Sequence, residues 1–234
     1  MPWRVLEKQH LKKIMENIKA IKKYHIFKNI EEKDISALLR CLHTRIIHIK
    51  KGITFIKRQE KINYIYLIVN GTARDTVIDI NGNINTQIDF TDGDMIGLEY
   101  YQANRRTFTN DITAITDMTI LLLEPFRLMN PCQNYCPRHT VLIQNAFTQL
   151  AKQNQKNINR IIELSKHTTK EKVMTYLLNV KAIKKSNEFD IPYNRQELAN
   201  YLAVERTALS KELSDLQKEG KIKYNLNHFI ILTK

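Results

Sequence analysis

An α+β protein is predicted: an antiparallel β-roll or jelly roll with helices ahead of it, then a long dimerisation helix, then a winged helix-turn-helix domain. Three observations carry this. Between Thr44 and Glu124, short Ile-, Val-, Thr-, Tyr- and Phe-rich segments alternate with the turn signals Lys51-Gly52, Asn70-Gly71, Asn81-Gly82 and Asp92-Gly93. From about Thr140 to Lys166 the chain runs without Gly or Pro under a heptad pattern. Residues 190–234 then read as two short amphipathic helices joined by a tight turn and followed by two strands. The expected divisions are 1–139, 140–168 and 169–234.

Taken in order, Leu11, Ile14, Met15, Ile18 and Ile21 recur at helical spacing between lysines, so Leu6 to Ile21 is expected to be a helix. A second helix is expected over Glu31 to Leu42, burying Ile35, Leu38, Leu39 and Cys41. Five of the six glycines lie between positions 52 and 97. Asn81-Gly82, flanked by Thr76 to Ile80 and by Ile84 to Phe90, is a type I′ hairpin signal. Many short strands at this spacing predict a closed or two-sheet antiparallel architecture.

Ile143, Phe147, Leu150, Asn154, Asn157, Ile161 and Leu164 follow one another at alternating steps of four and three residues. A helix packed only on its own sheet rarely carries so long a seam, so a coiled-coil homodimer interface is expected, its central asparagines fixing register. A helix from Lys170 to Val180, with Thr168-Thr169 as caps, and a polar linker over Lys181 to Asn187 complete the approach to the C-terminal domain.

Charge points to an anionic partner without locating it. The net charge is +13. Residues 1–51 carry 13 Lys/Arg against 5 Asp/Glu and residues 138–185 carry 10 against 2, but residues 52–137 are acidic and residues 186–234 are balanced at 7 against 7. No apolar run approaches the ~20 residues of a membrane-spanning helix, no secretory h-region opens the sequence, and three cysteines make no disulfide framework. A cytoplasmic protein without a membrane partner is expected.

The richest segment starts at Asn194, a helix cap. Leu198, Ala199 and Leu202 form one buried face, a turn follows around Ala203–Glu205, and a second helix buries Ala208, Leu209, Leu213 and Leu216 before Gly220. Ile222 to Tyr224 and Phe229 to Leu232 make a two-stranded wing. The second helix leaves Arg206, Thr207, Ser210 and Lys211 on one face near its start, where a recognition helix meets base edges in the major groove. Arg206 could donate to guanine O6 and N7, Lys211 to guanine or phosphate, and Thr207 could meet a thymine methyl.

From Phe27 to the end the chain resembles the Crp/Fnr superfamily of bacterial regulators. The resemblance rests on Asn194-Arg-Gln-Glu-Leu-Ala199, on Val204-Glu-Arg-Thr-Ala-Leu-Ser-Lys211, on the glycines at 52, 71, 93 and 97, and on Asp111-Ile-Thr-Ala-Ile-Thr116. It implies a cyclic-nucleotide-binding-type roll, a dimer helix and a winged helix-turn-helix reading double-stranded DNA with two-fold symmetry, together with RNA polymerase as a partner and no enzymatic activity. It places Arg206, Thr207 and Lys211 on base-reading positions and Arg195 and Gln196 near phosphate contacts. Glu205 stands where the family often has a Ser or Asp cap, so a looser or shifted helix start is expected.

The resemblance also frames the effector. Cyclic-nucleotide binders carry Gly-Glu-Leu and, before the next strand, Arg-Ser, whose arginine bonds the cyclic phosphate. Here Gly93-Asp-Met-Ile-Gly-Leu-Glu-Tyr100 puts Leu98 in place of the glutamate, Phe108-Thr109 replaces Arg-Ser, and Arg105 and Arg106 are displaced. Cyclic AMP is therefore not the expected effector. An unidentified small molecule is expected beside Gly97, Leu98, Glu99, Tyr100 and Tyr101 and near Asn154 and Asn157.

An iron–sulfur cluster held by N-terminal cysteines is not expected, since no cysteine precedes Cys41. Cys132 and Cys136, with His139 nearby, could bind a metal or form a reversible disulfide, or could simply pack beneath the dimer helix. A cupin-like metalloenzyme would need clustered ligands, and residues 52–124 contain no histidine.

Overall fold

The computed structural model describes residues 18–78, 84–105, 107–130 and 136–232. The chain divides into two compact units, Met1–Val77 with Ile88–Gln153 and Ile78–Gln87 with Asn154–Lys234, so the boundary falls inside a helix.

The first unit opens with α1 (Ile18–Lys22), a 3-10 turn at His25–Phe27 and α2 (Glu32–Cys41). Leu11, Ile14 and Met15 lie outside the described residues. In α2, Ile35, Leu38 and Leu39 are buried as expected, but Cys41 is half-exposed at the last turn. Strands β1 (Arg45–Ile49), β2 (Thr54–Ile56), β3 (Ile65–Asn70), β4 (Ala73–Ile78), β5 (Ile84–Phe90) and β6 (Met95–Ile96) lead to the short α3 (Leu98–Gln102). Then come β7 (Asp111–Ala114), β8 (Met118–Leu123) and α4 (Pro125–Met129). The Asn81-Gly82 turn lies outside the described residues, but β4 and β5 pair on either side of it.

Two four-stranded sheets result, ordered β1-β8-β3-β6 and β2-β7-β4-β5. Ile56, Tyr66, Ile68, Ala73, Phe90, Ile112 and Ile120 are buried in one core. The alternate residues Ile65, Leu67, Leu121 and Leu123 belong to a second core with Phe27, Ile35, Leu38, Leu39, Leu142 and Ala146. A sheet covered on both faces needs apolar residues at every position, which explains the unbroken run Ile120 to Leu123 where an alternating pattern would suit a half-solvated strand.

Helix α5 (Pro137–Leu164) starts three residues earlier than the pattern suggests, with proline at its first position, where no intrahelical N–H is required. Polar side chains fix its first half. The Asn145 amide donates to the Ile26 and Lys28 carbonyls at 3.0 and 2.8 Å, and Gln149 donates to the Gly93 carbonyl at 3.2 Å.

The second unit contains the last turns of α5, then α6 (Thr169–Lys184), β9 (Glu188–Asp190), α7 (Arg195–Leu202), α8 (Arg206–Lys218), β10 (Ile222–Asn225) and β11 (His228–Ile231). Two expectations are corrected here. The segment Lys181–Lys184 continues the helix, and Glu188–Asp190 adds a third strand, giving a sheet of order β10-β11-β9. Three residues between a helix and a proline are too few to show a period of two. Its core gathers Val173, Leu177, Phe189, Leu198, Leu202, Leu209, Leu213, Leu216 and Phe229.

Asn145 is 8% exposed. Asn145→Ala leaves the two carbonyls it serves without their donor, at a cost of about 1–3 kcal/mol. Urea unfolding of the first unit is expected to show that loss at an unchanged denaturant slope.

Candidate nucleic-acid interface

Capping builds the two crossing helices. Asn194 accepts from the Glu197 N–H at 2.9 Å, and the Glu197 carboxylate accepts from the Asn194 N–H at 2.8 Å, a reciprocal box that starts α7. The Asn194 side-chain oxygen thus serves the start of α7, on an exposed residue. α7 ends at Ala203, which takes the left-handed conformation (φ 49°, ψ 58°) usually left to glycine. Lys172 stabilises this turn by donating to the Leu202 and Ala203 carbonyls at 3.3 and 3.4 Å.

Glu205 then caps α8 through its extended backbone alone, with no side-chain hydrogen bond, and the helix still begins at Arg206. The expected shift does not occur, because Leu209, Leu213 and Leu216 are fully buried and hold the helix in place. Ala208 is only half-buried. At the far end the Lys221 N–H donates to the Leu216 carbonyl and the Gly220 N–H to that of Gln217, both at 3.0 Å, with Gly220 at φ 69°. This pairing of the last carbonyls is the Schellman stop.

Arg206, Thr207, Ser210 and Lys211 are all exposed, at spacings that put them on one face of α8, away from the leucines. Gln196 is exposed, and its amide donates to Asn200 at 2.9 Å. Arg195 is placed differently from the expectation. Its guanidinium donates to the Leu226 carbonyl at 3.2 Å and lies 5.0 Å from the centre of the Tyr224 ring, so it ties α7 to the wing.

Sequence reasoning missed a polar cluster in this unit. The Arg160 guanidinium stacks 3.7 Å from the centre of the Tyr201 ring, and Tyr201 stacks on Tyr193 at 4.8 Å. Glu163, 4% exposed, accepts from Asn179 at 2.8 Å and from the Tyr201 hydroxyl at 3.1 Å. These contacts join the last turns of α5 to α6 and α7. A glutamate in a run of isoleucines was the available signal.

The expected effector residues separate. Gly97 (φ 99°) starts α3, and a side chain there would press on the Tyr64 carbonyl and the Phe108 ring. Leu98 is fully buried in the core shared by α2 and the first half of α5. The next residue, Glu99, carries the buried carboxylate: one oxygen accepts from the Gly97 N–H at 3.4 Å and the other has no partner. Burial, reinforced by the charge of Asp75, raises its pKa. Tyr100 packs against Phe108 at 5.3 Å and shares a 2.7 Å hydrogen bond with Thr109. Asn154 and Asn157 are exposed.

Arginines are elsewhere. Arg74 makes a two-point pair with Asp89 at 2.7 and 3.0 Å, Arg105 is exposed, and Arg106 lies outside the described residues. So does Cys132. Cys136 is a free, half-buried thiol, and His139 is buried with Nε2 3.1 Å from the Leu128 carbonyl. Among the described residues no group of three or more His, Cys, Asp or Glu side chains could hold a metal, and no helix is long and apolar enough to cross a membrane.

A two-sheet roll, a long helix and a capped helix-turn-helix with a three-stranded wing define the class: a winged helix-turn-helix protein. The Crp-like helix-turn-helix domain family matches residues 171–234. The transcriptional activator protein FnrL of Cereibacter sphaeroides is 24% identical over 191 residues, spanning 78% of this chain and 74% of that one. Two solved structures share the fold. FixK2 from Bradyrhizobium japonicum has a TM-score of 0.63 and 18% identity, covering 81% of this chain and 93% of its own. The c-di-GMP responsive global regulator CLP of Xanthomonas campestris has a TM-score of 0.68 and 13% identity, covering 85% of this chain and 100% of its own. Residues 171–234 thus match a Crp-like helix-turn-helix domain, and the chain shares the fold of these two proteins.

On the wing sheet, His228 lies between Asp190 at 2.9 Å and Glu188 at 3.1 Å, and the hydrogen bond to Asp190 is the chief reason its pKa is raised. Its stabilising contribution is therefore complete below the unfolded histidine value of about 6.5 and fades as pH rises through the higher folded value. The unfolding temperature of the second unit is expected to fall across that window, and His228→Gln to flatten the dependence.

Proposed function

We propose that the chain is a cytoplasmic homodimer that reads a two-fold symmetric DNA operator with α8 of each protomer, is switched by a small molecule other than cyclic AMP, and acts on RNA polymerase. The observation that carries the reading is the exposed face Arg206, Thr207, Ser210 and Lys211 at the start of α8. No described acidic residue pairs with Arg206 or Lys211, so both charges are available to an anionic partner. The domain carrying them is electrically balanced, so specificity rests on this face and on base contacts more than on bulk attraction.

The long helix supports the dimer. Phe147, Ile158, Ile161 and Ile162 are 55%, 40%, 65% and 45% exposed, an apolar stripe too costly to leave in water without a partner. With Ala151 and Asn154, also exposed, the series 147, 151, 154, 158, 161 keeps steps of four and three. This register differs from the expected one at Leu150, which packs against its own core, and at Ile143 and Leu164, which are half-buried.

Arg206→Ala is expected to weaken specific operator binding by about 1–3 kcal/mol and to leave binding to random duplex nearly unchanged, measured by fluorescence anisotropy at fixed salt. Equal losses on both duplexes make Arg206 a backbone contact, and no binding by the wild-type chain to any duplex refutes the DNA reading.

Phe147→Asp combined with Ile158→Asp is expected to give folded monomers by sedimentation and to abolish binding to a site with two half-sites. A persisting dimer puts the interface on another face.

A further inference from the structure

We propose that the interior of the roll beside α3 binds a small organic cation bearing N–H donors, an alkylammonium or guanidinium group, held between the carboxylates of Asp75 and Glu99 against the rings of Tyr100 and Phe108. The proposal rests on the reading of the chain as an effector-switched regulator and assigns the chemistry of the effector.

The argument starts with strand parity. Ala73, Ile112 and Ala114 are buried between the two sheets, and β4 pairs with β7 so that Asp75 lies opposite Ile112. Asp75 therefore points to the same interior as Ala73. It is 8% exposed, and one of its oxygens accepts from the Asn110 amide at 3.1 Å. The other oxygen is buried with no partner, as is one oxygen of Glu99. Two lone buried acceptors are thus left beside a largely apolar core, a condition proteins avoid unless something else supplies the donors.

The groups around them complete the chemistry. Tyr100, Phe108, Tyr66 and Phe55 form a chain of edge and tilted contacts, with centroids 5.3, 6.2 and 6.0 Å apart. Phe108 is itself 2% exposed. Ring faces carry negative potential and attract cations, most strongly where water is excluded. An anion would meet two carboxylates and ring faces, with Arg74 already committed to Asp89 at 2.7 Å. A cation with N–H bonds satisfies both free oxygens and gains the ring faces as well. Burial presses the same way from the protein's side: it raises the pKa of Asp75 to about 6, which a bound cation would reverse.

The test uses the full-length protein, with n-butylammonium, 1,4-diaminobutane and methylguanidinium as probes. Titration calorimetry and thermal unfolding are run at constant ionic strength, with cyclic AMP as the anionic control. At least one probe is expected to bind saturably and to raise the unfolding temperature of the first unit. Asp75→Asn and Glu99→Gln, each keeping the side-chain shape, are expected to weaken that binding about tenfold or more, the worth of a charge-assisted hydrogen bond. Circular dichroism checks both folds, and either variant alone suffices for the comparison.

The inference is overturned if none of the three probes binds saturably, if binding is unchanged in the folded variants, or if cyclic AMP binds instead. Operator binding by the wild-type chain is measured in the same samples. Intact operator binding with no response to the probes sinks the cation site alone, whereas absent operator binding sinks the DNA reading.

Discussion

The structure depends on how one helix of 28 residues satisfies its polar groups. Apolar contacts are non-directional and would tolerate some rotation of α5 about its axis, but hydrogen bonds are not so forgiving. Asn145 must meet the Ile26 and Lys28 carbonyls, and Gln149 must meet that of Gly93. Further along, buried Glu163 must meet Asn179 and Tyr201. Successive residues on a helix are 100° apart, so a one-residue rotation would break every one of these bonds. The anchors therefore decide which stripe remains outside, and that stripe is Phe147, Ile158 and Ile161.

In the helix-turn-helix unit, local chemistry and packing divide the work. Caps at Asn194 and Gly220 set where the two helices begin and end, and leucines set how they cross. The turn between them is the demanding part. Ala203 in the left-handed region carries a steric cost that glycine would not, and Lys172 from α6 offsets it by satisfying the turn's carbonyls. Arg195 joins α7 to the wing through the Leu226 carbonyl and the Tyr224 ring. Arg206, Thr207, Ser210 and Lys211 remain exposed together at the start of α8.

The roll carries the opposite electrostatic character. Where the resemblance to cyclic-nucleotide binders leads one to expect an arginine, this chain has Phe108, and the carboxylates of Asp75 and Glu99 are buried. On the cation proposal, a ring here and Asp75 on the inner face of β4 suit the interior to a cation and not to a phosphate. The roll and α8 are each held by their own core, so the proposed effector class leaves the helix-turn-helix unaltered.

Patterns that repeat within a few residues were readable directly. The turn signals and apolar segments of the roll, the heptad spacing of α5, the Asn194 cap and the leucines of α7 and α8 all depend on local backbone geometry, and a period of two or of 3.6 is written in adjacent residues. The family resemblance gave an expected role for α8, but it could not show that the carboxylate of Glu99 is buried. Tertiary structure alone decided the facts that depend on residues distant in the chain. Arg160 meets Tyr201, Asp75 meets Asn110, Arg195 turns to Leu226, and Leu150 leaves the seam for its own core. Strand β9 belongs with them, since three residues have no period and pair only because β11 presents an open edge. A side chain's rotation is settled by the partner that satisfies it, and no local pattern encodes a partner dozens of residues away.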